Sequence, residues 1–437
     1  MSRRLEFGVW RGVLVASVVL ILLATVAPYN AIPAGSMPPR WCLVCGGMWL
    51  TDGISNVVLF APFGLALAML GVRWWVVVLL SAGFSLGVEG LQSIGVPPAR
   101  SAAWADVVAN ALGGLFGVWL LVLRGWLMPA SWRVAVRLAW GWAAGVVAML
   151  ALTSAALGPR SGNVERPWTD REAAATYARS PFPHVPGQAW YGGQTDSVSV
   201  NGYATTHRGT GPVIIAVSRE PATVAMRAVL RGREIEPFLV PIVFLHVADD
   251  SSAVAVVGEH DLDAKLVVTR RAWDWGLGMP VLRLPGVFAG RSVRDPRPVV
   301  LEAWSAPDTL RLSATSAAFT GTRALALTPV IGWVLIQTVF ALGGTFELFA
   351  HFCWLAALMM PIGWWGIQAA TRSGRVLGIA MLWLWVGATA MPRVFGVAPI
   401  GARDWVIMMA LLAAGAAAGR YAVNTRRKGY HDAARAD

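Results

Sequence analysis

Three carboxylates lie where carboxylates are costly. Asp52, Glu89 and Asp106 each fall within or at the edge of an apolar run long enough to cross a bilayer, and an ionisable group there marks a functional site by default. Each has an amide companion at helical spacing. Asp52 and Asn56 are four residues apart, as are Asp106 and Asn110, while Glu89 and Gln92 are three apart, so each pair stands on one face of its helix. Arg100 lies on the short segment before Asp106. If the three spans alternate in direction, the pairs meet at one depth within reach of Arg100. Arg and amide donors suit phosphate or sugar hydroxyls, and the carboxylates could orient Arg100 or act as acid and base with pKa values raised by burial. That describes a pocket for the head group of an envelope lipid or glycan precursor. Two other readings use the same residues: proton relay through Glu89 and Asp106 in a proton-coupled transporter, or polar contacts that merely fix the bundle.

The elements that must position these groups are legible in composition. Of 437 residues, 56% are hydrophobic and 14% charged, a balance that belongs to a membrane protein rather than a soluble domain. Between Arg160 and Phe319 lie 16 of the 24 acidic residues and 17 of the 36 basic ones, so the net charge of +12 comes from the flanks. Basic flanks of this kind face anionic lipid. No basic helix or aromatic stacking platform points to nucleic acid. Runs of about 20 apolar residues occur at 12–29, 53–72, 74–95, 105–122 and 134–157, then at 324–342, 348–369, 376–391 and 405–422. The expected fold is a membrane α-helical bundle of about nine helices with an inserted all-β sandwich. The expected division is a five-helix domain over 1–157, a soluble β domain over 158–322, three or four helices over 323–425 and a basic tail over 426–437.

In the middle, short alternating stretches at 197–201, 212–217, 224–230, 242–247, 253–257, 265–269 and 299–303 read as strands separated by Gly, Pro and Asp turns. Their number and spacing predict a sandwich. Trp190, Trp273 and Trp275 are candidate sugar platforms, with core filling or a place at the membrane surface as the simpler reading. Asp249, Asp250, Asp261 and Asp263 are oxygen donors of the kind Ca²⁺ takes, though paired acids in turns are usually just solvated. His184, His207, His246 and His260 lack metal-ligand spacing, and no metal or cofactor is expected.

Loop charge predicts the orientation. Arg3, Arg4, Arg11, Arg73, Arg124, Arg133 and Arg137 place the amino-terminus and the inner loops in the cytoplasm. Five spans then deliver the middle domain outside the plasma membrane. Four more crossings would strand Arg426, Arg427 and Lys428 outside with Arg372 and Arg375. Either one late segment fails to cross, with Arg393 drawing attention to the eighth candidate, or the middle domain is cytoplasmic, or the positive-inside bias is violated at this end. Cys42 and Cys45, in the first outer loop, offer too few ligands for zinc and read as a structural disulfide rather than a redox pair. Glu347 and His351, four apart at the start of a span, form a second polar pair. No nucleophile motif, phosphate-binding loop or zinc-protease helix occurs, so whether the chain is an enzyme stays open.

The order Asp52-x-x-x-Asn56-Val-Val-Leu-Phe60-Ala-Pro62-Phe-Gly64, Ser85-x-x-x-Glu89-x-x-Gln92, then Arg100-x5-Asp106-x-x-x-Asn110-x-x-Gly113-x-x-x-Gly117 resembles the VanZ-like family. The resemblance spans roughly residues 10–155. It implies a small multi-helix envelope membrane protein and, through the family's founding member, a link to teicoplanin-type antibiotic resistance. For the middle stretch, the run 241–246 followed by 253–257, 266–270 and 280–285 is similar in strand rhythm to concanavalin-like (laminin-G-type) jelly rolls, which implies sugar or partner binding. A membrane-anchored carbohydrate-binding or purely structural protein is the corresponding alternative.

Overall fold

Apolar helices flank a sheet domain, and both parts share buried surface. The computed structural model describes residues 3–26, 41–45, 48–96, 101–127, 131–159, 168–169, 191, 193–205, 209–210, 213–217, 223–233, 239–247, 253–336, 345–369 and 372–436. Among these residues, eight helices are long and apolar enough to cross a membrane. They are α1 (Arg3–Val26), α2 (Trp49–Met69), α3 (Trp74–Ser93), α4 (Trp104–Leu127), α5 (Trp132–Leu157), α6 (Thr345–Gln368), α7 (Ser373–Val394) and α8 (Ala402–Ala436). The expected nine is corrected at the candidate 324–342, not at the one near Arg393, which closes the last turn of α7. Residues 320–326 are strand and Pro329–Ile336 is a 3-10 helix; positions 337–342 lie outside the described residues. The physical reason is that this run is apolar for burial in protein. Val330, Ile331 and Leu335 are buried, and a Cβ on Gly332 would come within 2.8 Å of Thr153 on α5 and 3.2 Å of the Trp354 ring on α6. Hydropathy alone does not distinguish that setting from lipid.

Two glycine-lined seams set the helix packing. Along α2 and α4, a Cβ on Gly113 would approach Val57 O to 2.6 Å and one on Gly117 would approach Ala61 O to 2.3 Å. Along α6 and α8, a Cβ on Gly363 or Gly415 would meet the carbonyl oxygen of Leu412 or Met360. Close backbone approach through small residues is how helices associate where no hydrophobic gradient separates protein from lipid.

The sheet domain has β3 (Trp168–Thr169), β4 (Gln194–Val200), β5 (Tyr203–Thr205), β6 (Gly209–Thr210), β7 (Val213–Val217), β8 (Val224–Arg231), β9 (Val240–Val247), β10 (Ala253–His260), β11 (Asp263–Val268), β12 (Val281–Leu284), β13 (Val299–Ser305), β14 (Thr309–Ser316) and β15 (Thr320–Ala326); β1 and β2 are two-residue strands in the helical part, described below. One sheet runs β12-β11-β10-β9-β7-β3, antiparallel except for β7 with β9. The other runs β15-β14-β13-β8-β4-β5, with β6 beside β4, and is antiparallel throughout. Strict alternation in β8, β13 and β14 sends Met226, Leu301 and Leu312 into a core that they share with Ile242, Leu245 and Leu266 of the first sheet. The same core takes in Leu157 of α5, Leu335 of the 3-10 helix and Val397 beyond α7. The domain therefore sits directly on one end of the bundle.

Within it, Lys265 on β11 is buried opposite Arg283 of β12. Burial, and then Arg283, hold its ammonium down from 10.5 to about 8 against the opposing pull of Asp263 and Asp261. Between about pH 8 and 10.5 the unfolded chain keeps this proton and the folded chain does not, so stability rises across that window. Below it the buried charge costs about 3 kcal/mol. Lys265→Met should raise the unfolding temperature at pH 7, with the advantage gone by about pH 10.5. Scanning fluorimetry that finds the same gain at both pH values would refute this account.

Candidate functional site

The polar pairs are brought to one level by the α2–α4 seam and by α3, which runs antiparallel to both. Gly113 abuts Val57 and Gly117 abuts Ala61, so α2 and α4 run side by side in register. One turn earlier on each helix come Asp52 and Asn56, and Asp106 and Asn110. On the other flank, a Cβ on Gly114 would touch Ser81, and Asn110 Nδ2 donates to Ser85 Oγ at 2.8 Å. One further turn sets Glu89 opposite Asp106.

Burial divides the set. Glu89, Gln92 and Asn110 are buried, whereas Asp52, Asn56 and Asp106 are half-buried, the two carboxylates in the first turns of their helices. First-turn carboxylates suit the positive end of the helix dipole. Glu89 Oε2 accepts the backbone N–H of Ala103 at 2.8 Å, and Gln92 Nε2 donates to Thr25 O on α1 at 3.2 Å. Asn110 Oδ1 and Ser81 Oγ are buried without a hydrogen-bond partner among the described residues. Arg100 lies outside the described residues.

A short cap lies over Glu89. Trp41–Cys42 (β1) pairs in parallel with Ala102–Ala103 (β2), and Leu43 O accepts the N–H of Ala105 at 3.0 Å. Cys42 and Cys45 are joined as a disulfide, their sulfurs 3.5 and 3.6 Å from Ala102 O. Trp41 and Trp104 pack with ring centroids 5.0 Å apart. The disulfide loop is thus laced to the residue whose N–H holds Glu89.

Beside this end of the bundle, the sheet domain clasps the start of α2. Gly276 O accepts the N–H groups of Leu50 and Thr51 at 3.0 and 3.1 Å, and Thr51 Oγ1 donates to Leu335 O at 2.6 Å. The opening N–H groups of a helix have no partner of their own, so the domain supplies one. Trp273 and half-exposed Trp275 lie in the turn Arg271–Gly276 beside this clasp, close to the ends of the spans. Trp190, Asp249, Asp250, His184 and His207 lie outside the described residues. Asp263 is occupied by Arg283 and the Gly286 N–H, and Asp261 by His260.

The second polar pair separates into two contacts that the sequence did not join. Glu347 pairs with Arg323 of β15 at 3.4 Å, while His351 Nε2 lies 3.2 Å from Asp404 Oδ1 on α8. The indole N–H of Trp333 donates to His351 Nδ1 at 3.2 Å. An N–H on Nε2, with Nδ1 left as acceptor, satisfies both neighbours at once. With both ring nitrogens engaged, His351 ties α6 to the 3-10 helix and to α8, while Glu347 ties α6 to β15.

Set against known proteins, residues 12–152 match the VanZ/LLP1 family model. No curated protein and no solved structure matches. The matched stretch takes in nearly all of α1–α5 and every described member of the polar cluster, and stops short of the sheet domain.

Proposed function

We propose that this chain, VanZ-like over its first five helices, is a multi-pass envelope protein that holds a polar head group of an envelope lipid or lipid-linked glycan precursor at the domain-facing end of those helices. Asn110 carries the reading. Its amide nitrogen is spent on Ser85, yet its buried Oδ1 meets no donor among the described residues. An acceptor left so costs about 1–3 kcal/mol, which a hydroxyl or ammonium group of a bound head group would recover. Asp52, Glu89 and Asp106 add carboxylates at the same level, and the half-buried Asp52–Asp106 side gives such a group its way in. The teicoplanin-type resistance link extends this reading, because a protein that engages an envelope precursor alters what a glycopeptide encounters.

The side of the membrane follows from charge. Arg73, Arg133, Arg137, Arg372 and Arg375 lie in or beside the helix connections remote from the sheet domain, and Arg426, Arg427 and Lys428 follow the α8 span at that same end. Positive residues favour the cytoplasm, which supports a position outside the plasma membrane for the sheet domain, the disulfide and the polar cluster. If the eight apolar helices of the described residues all cross, both termini return to the cytoplasm, and the conflict raised by nine disappears. The two sheets, antiparallel apart from β7 with β9, and their strand rhythm also support a concanavalin-like jelly roll for the outer domain.

The test uses purified protein in nanodiscs offered phosphatidylethanolamine or a polyprenyl-diphosphate-linked disaccharide, with retention read by native mass spectrometry. Asn110→Leu should weaken retention about tenfold or more, given about 1–3 kcal/mol for the acceptor, with membrane abundance unchanged. Undiminished retention would sink the pocket, and a fall in abundance alone would favour contacts that only fix the bundle. Proton flux in liposomes that Glu89→Gln stops would favour transport instead.

A further inference from the structure

Among the described residues, the face of the seven-strand sheet that points away from the shared core carries exposed side chains, and its lower edge lies close to the helix ends. The hairpin between β13 and β14 closes with Ala306 N–H donating to Thr309 O at 2.8 Å. That hairpin rests on the connection from α7 to α8: Leu327 N–H donates to Asp308 O at 2.8 Å, Ala398 N–H donates to Leu327 O at 3.0 Å, and Pro307 lies against Gly396. The next cross-strand pair facing outward is Trp304 with Arg311, flanked by Ala225 and Ala324. Strands rise about 3.4 Å per residue, so this pair lies roughly 7 Å from the hairpin, near the level at which α7 and α8 leave the bilayer.

The exposed groups at that level are aromatic and mostly basic, with Asp308 exposed in the hairpin and Glu302, two residues along β13, paired with Arg227 at 3.4 Å. Trp304 is 40% exposed, its alanine neighbours leave the indole standing clear, and Arg311, Arg393 and Arg403 are exposed. Exposed Trp41, Trp49, Trp104 and Trp275 lie at the same end of the bundle. Tryptophan rings and arginines gather at the interface of a bilayer, where an amphipathic ring meets head groups and a guanidinium pairs with phosphate. We propose that the Trp304–Arg311 edge of the sheet domain is seated in the phospholipid head-group layer, extending the aromatic belt of the helices onto the soluble domain. The partner is the phosphodiester of ordinary phospholipid. The upper part of this face, with Ser313, Thr315, Thr320 and Thr322, stays in water.

The experiment places an NBD fluorophore on Trp304→Cys or on Thr315→Cys in full-length Cys353→Ser protein, which keeps the Cys42–Cys45 bridge, reconstituted in phosphatidylcholine liposomes. Thr315 lies on the same face, four residues further along β14 from Arg311. A nitroxide on the lipid head group should quench the probe at 304 at least about threefold more than the probe at 315, and aqueous iodide should show the reverse order. Iodide reaching both probes equally, with no nitroxide quenching at 304, would overturn the proposal. If Trp304→Cys does not fold, Arg311→Cys on the paired strand carries the same expectation. A soluble oligosaccharide that shields the probe at 304 in detergent, with no lipid present, would make this a glycan face and likewise overturn it.

Discussion

Gly117→Val should cost about 3 kcal/mol or more and break the amino-terminal bundle, because overpacking is expensive when the obstructing atoms are backbone. A Cβ at 117 would lie 2.3 Å from Ala61 O and 2.4 Å from Leu65 N, and one at 64 would lie 2.2 Å from Gly114 O. No rotamer change relieves either clash. The helices must part, and parting them dismantles the level at which Asp52, Asn56, Asp106 and Asn110 meet. Gly83, Gly87 and Gly90 on α3 have open space where a Cβ would go. Gly87→Val should therefore change stability by no more than about 0.5 kcal/mol. Unfolding in mixed detergent micelles reads the difference, and equal losses at 117 and 87 would show that the seam is not in contact.

Gly276→Ala should release the clasp on α2. Gly276 has φ +69, and a Cβ there would lie 2.3 Å from the Trp49 indole nitrogen. Backbone strain of about 1–3 kcal/mol adds to the clash. Amide exchange at Leu50 and Thr51, whose N–H groups donate to Gly276 O, should quicken by at least about tenfold, an opening cost of about 1.4 kcal/mol. Gly286 and Gly290 separate the two causes, having φ +76 and +69 with nothing nearby. Alanine at either should show the strain alone. Trp49→Ala should rescue part of the Gly276→Ala defect in a double-mutant cycle; strict additivity would mean that the indole is not the obstacle.

The first five helices were legible because lipid imposes long apolar runs, and the polar pairs because acids inside such runs are rare. The sheets were legible as a class, from alternation in stretches such as 224–230 and 299–303. The end of the sheet domain was not. β15 alternates between exposed and half-buried positions as an edge strand, and its Ala-Leu-Ala close runs straight into the apolar 3-10 helix, so the two together imitate a span. The partners of the cluster were only half visible. Ser85 stood in the motif, but Thr25 O and the Ala103 N–H are backbone groups whose role depends on how the chain returns from afar. Nothing local in Thr51, Trp333 or Asp404 announces a partner 284, 18 or 53 residues away.

The clasp bears on the order of biogenesis. The opening turn of α2 is among the early segments to leave the ribosome, yet the carbonyl that completes it belongs to Gly276, and the one that Thr51 reaches belongs to Leu335. Until the ribosome has passed that point, the nascent amino-terminal segment carries bare amide groups beside three carboxylates. A fragment stopped near residue 152 would keep this unfinished state permanently, so expressing the VanZ-like third alone should yield a species that proteases and chaperones treat as immature.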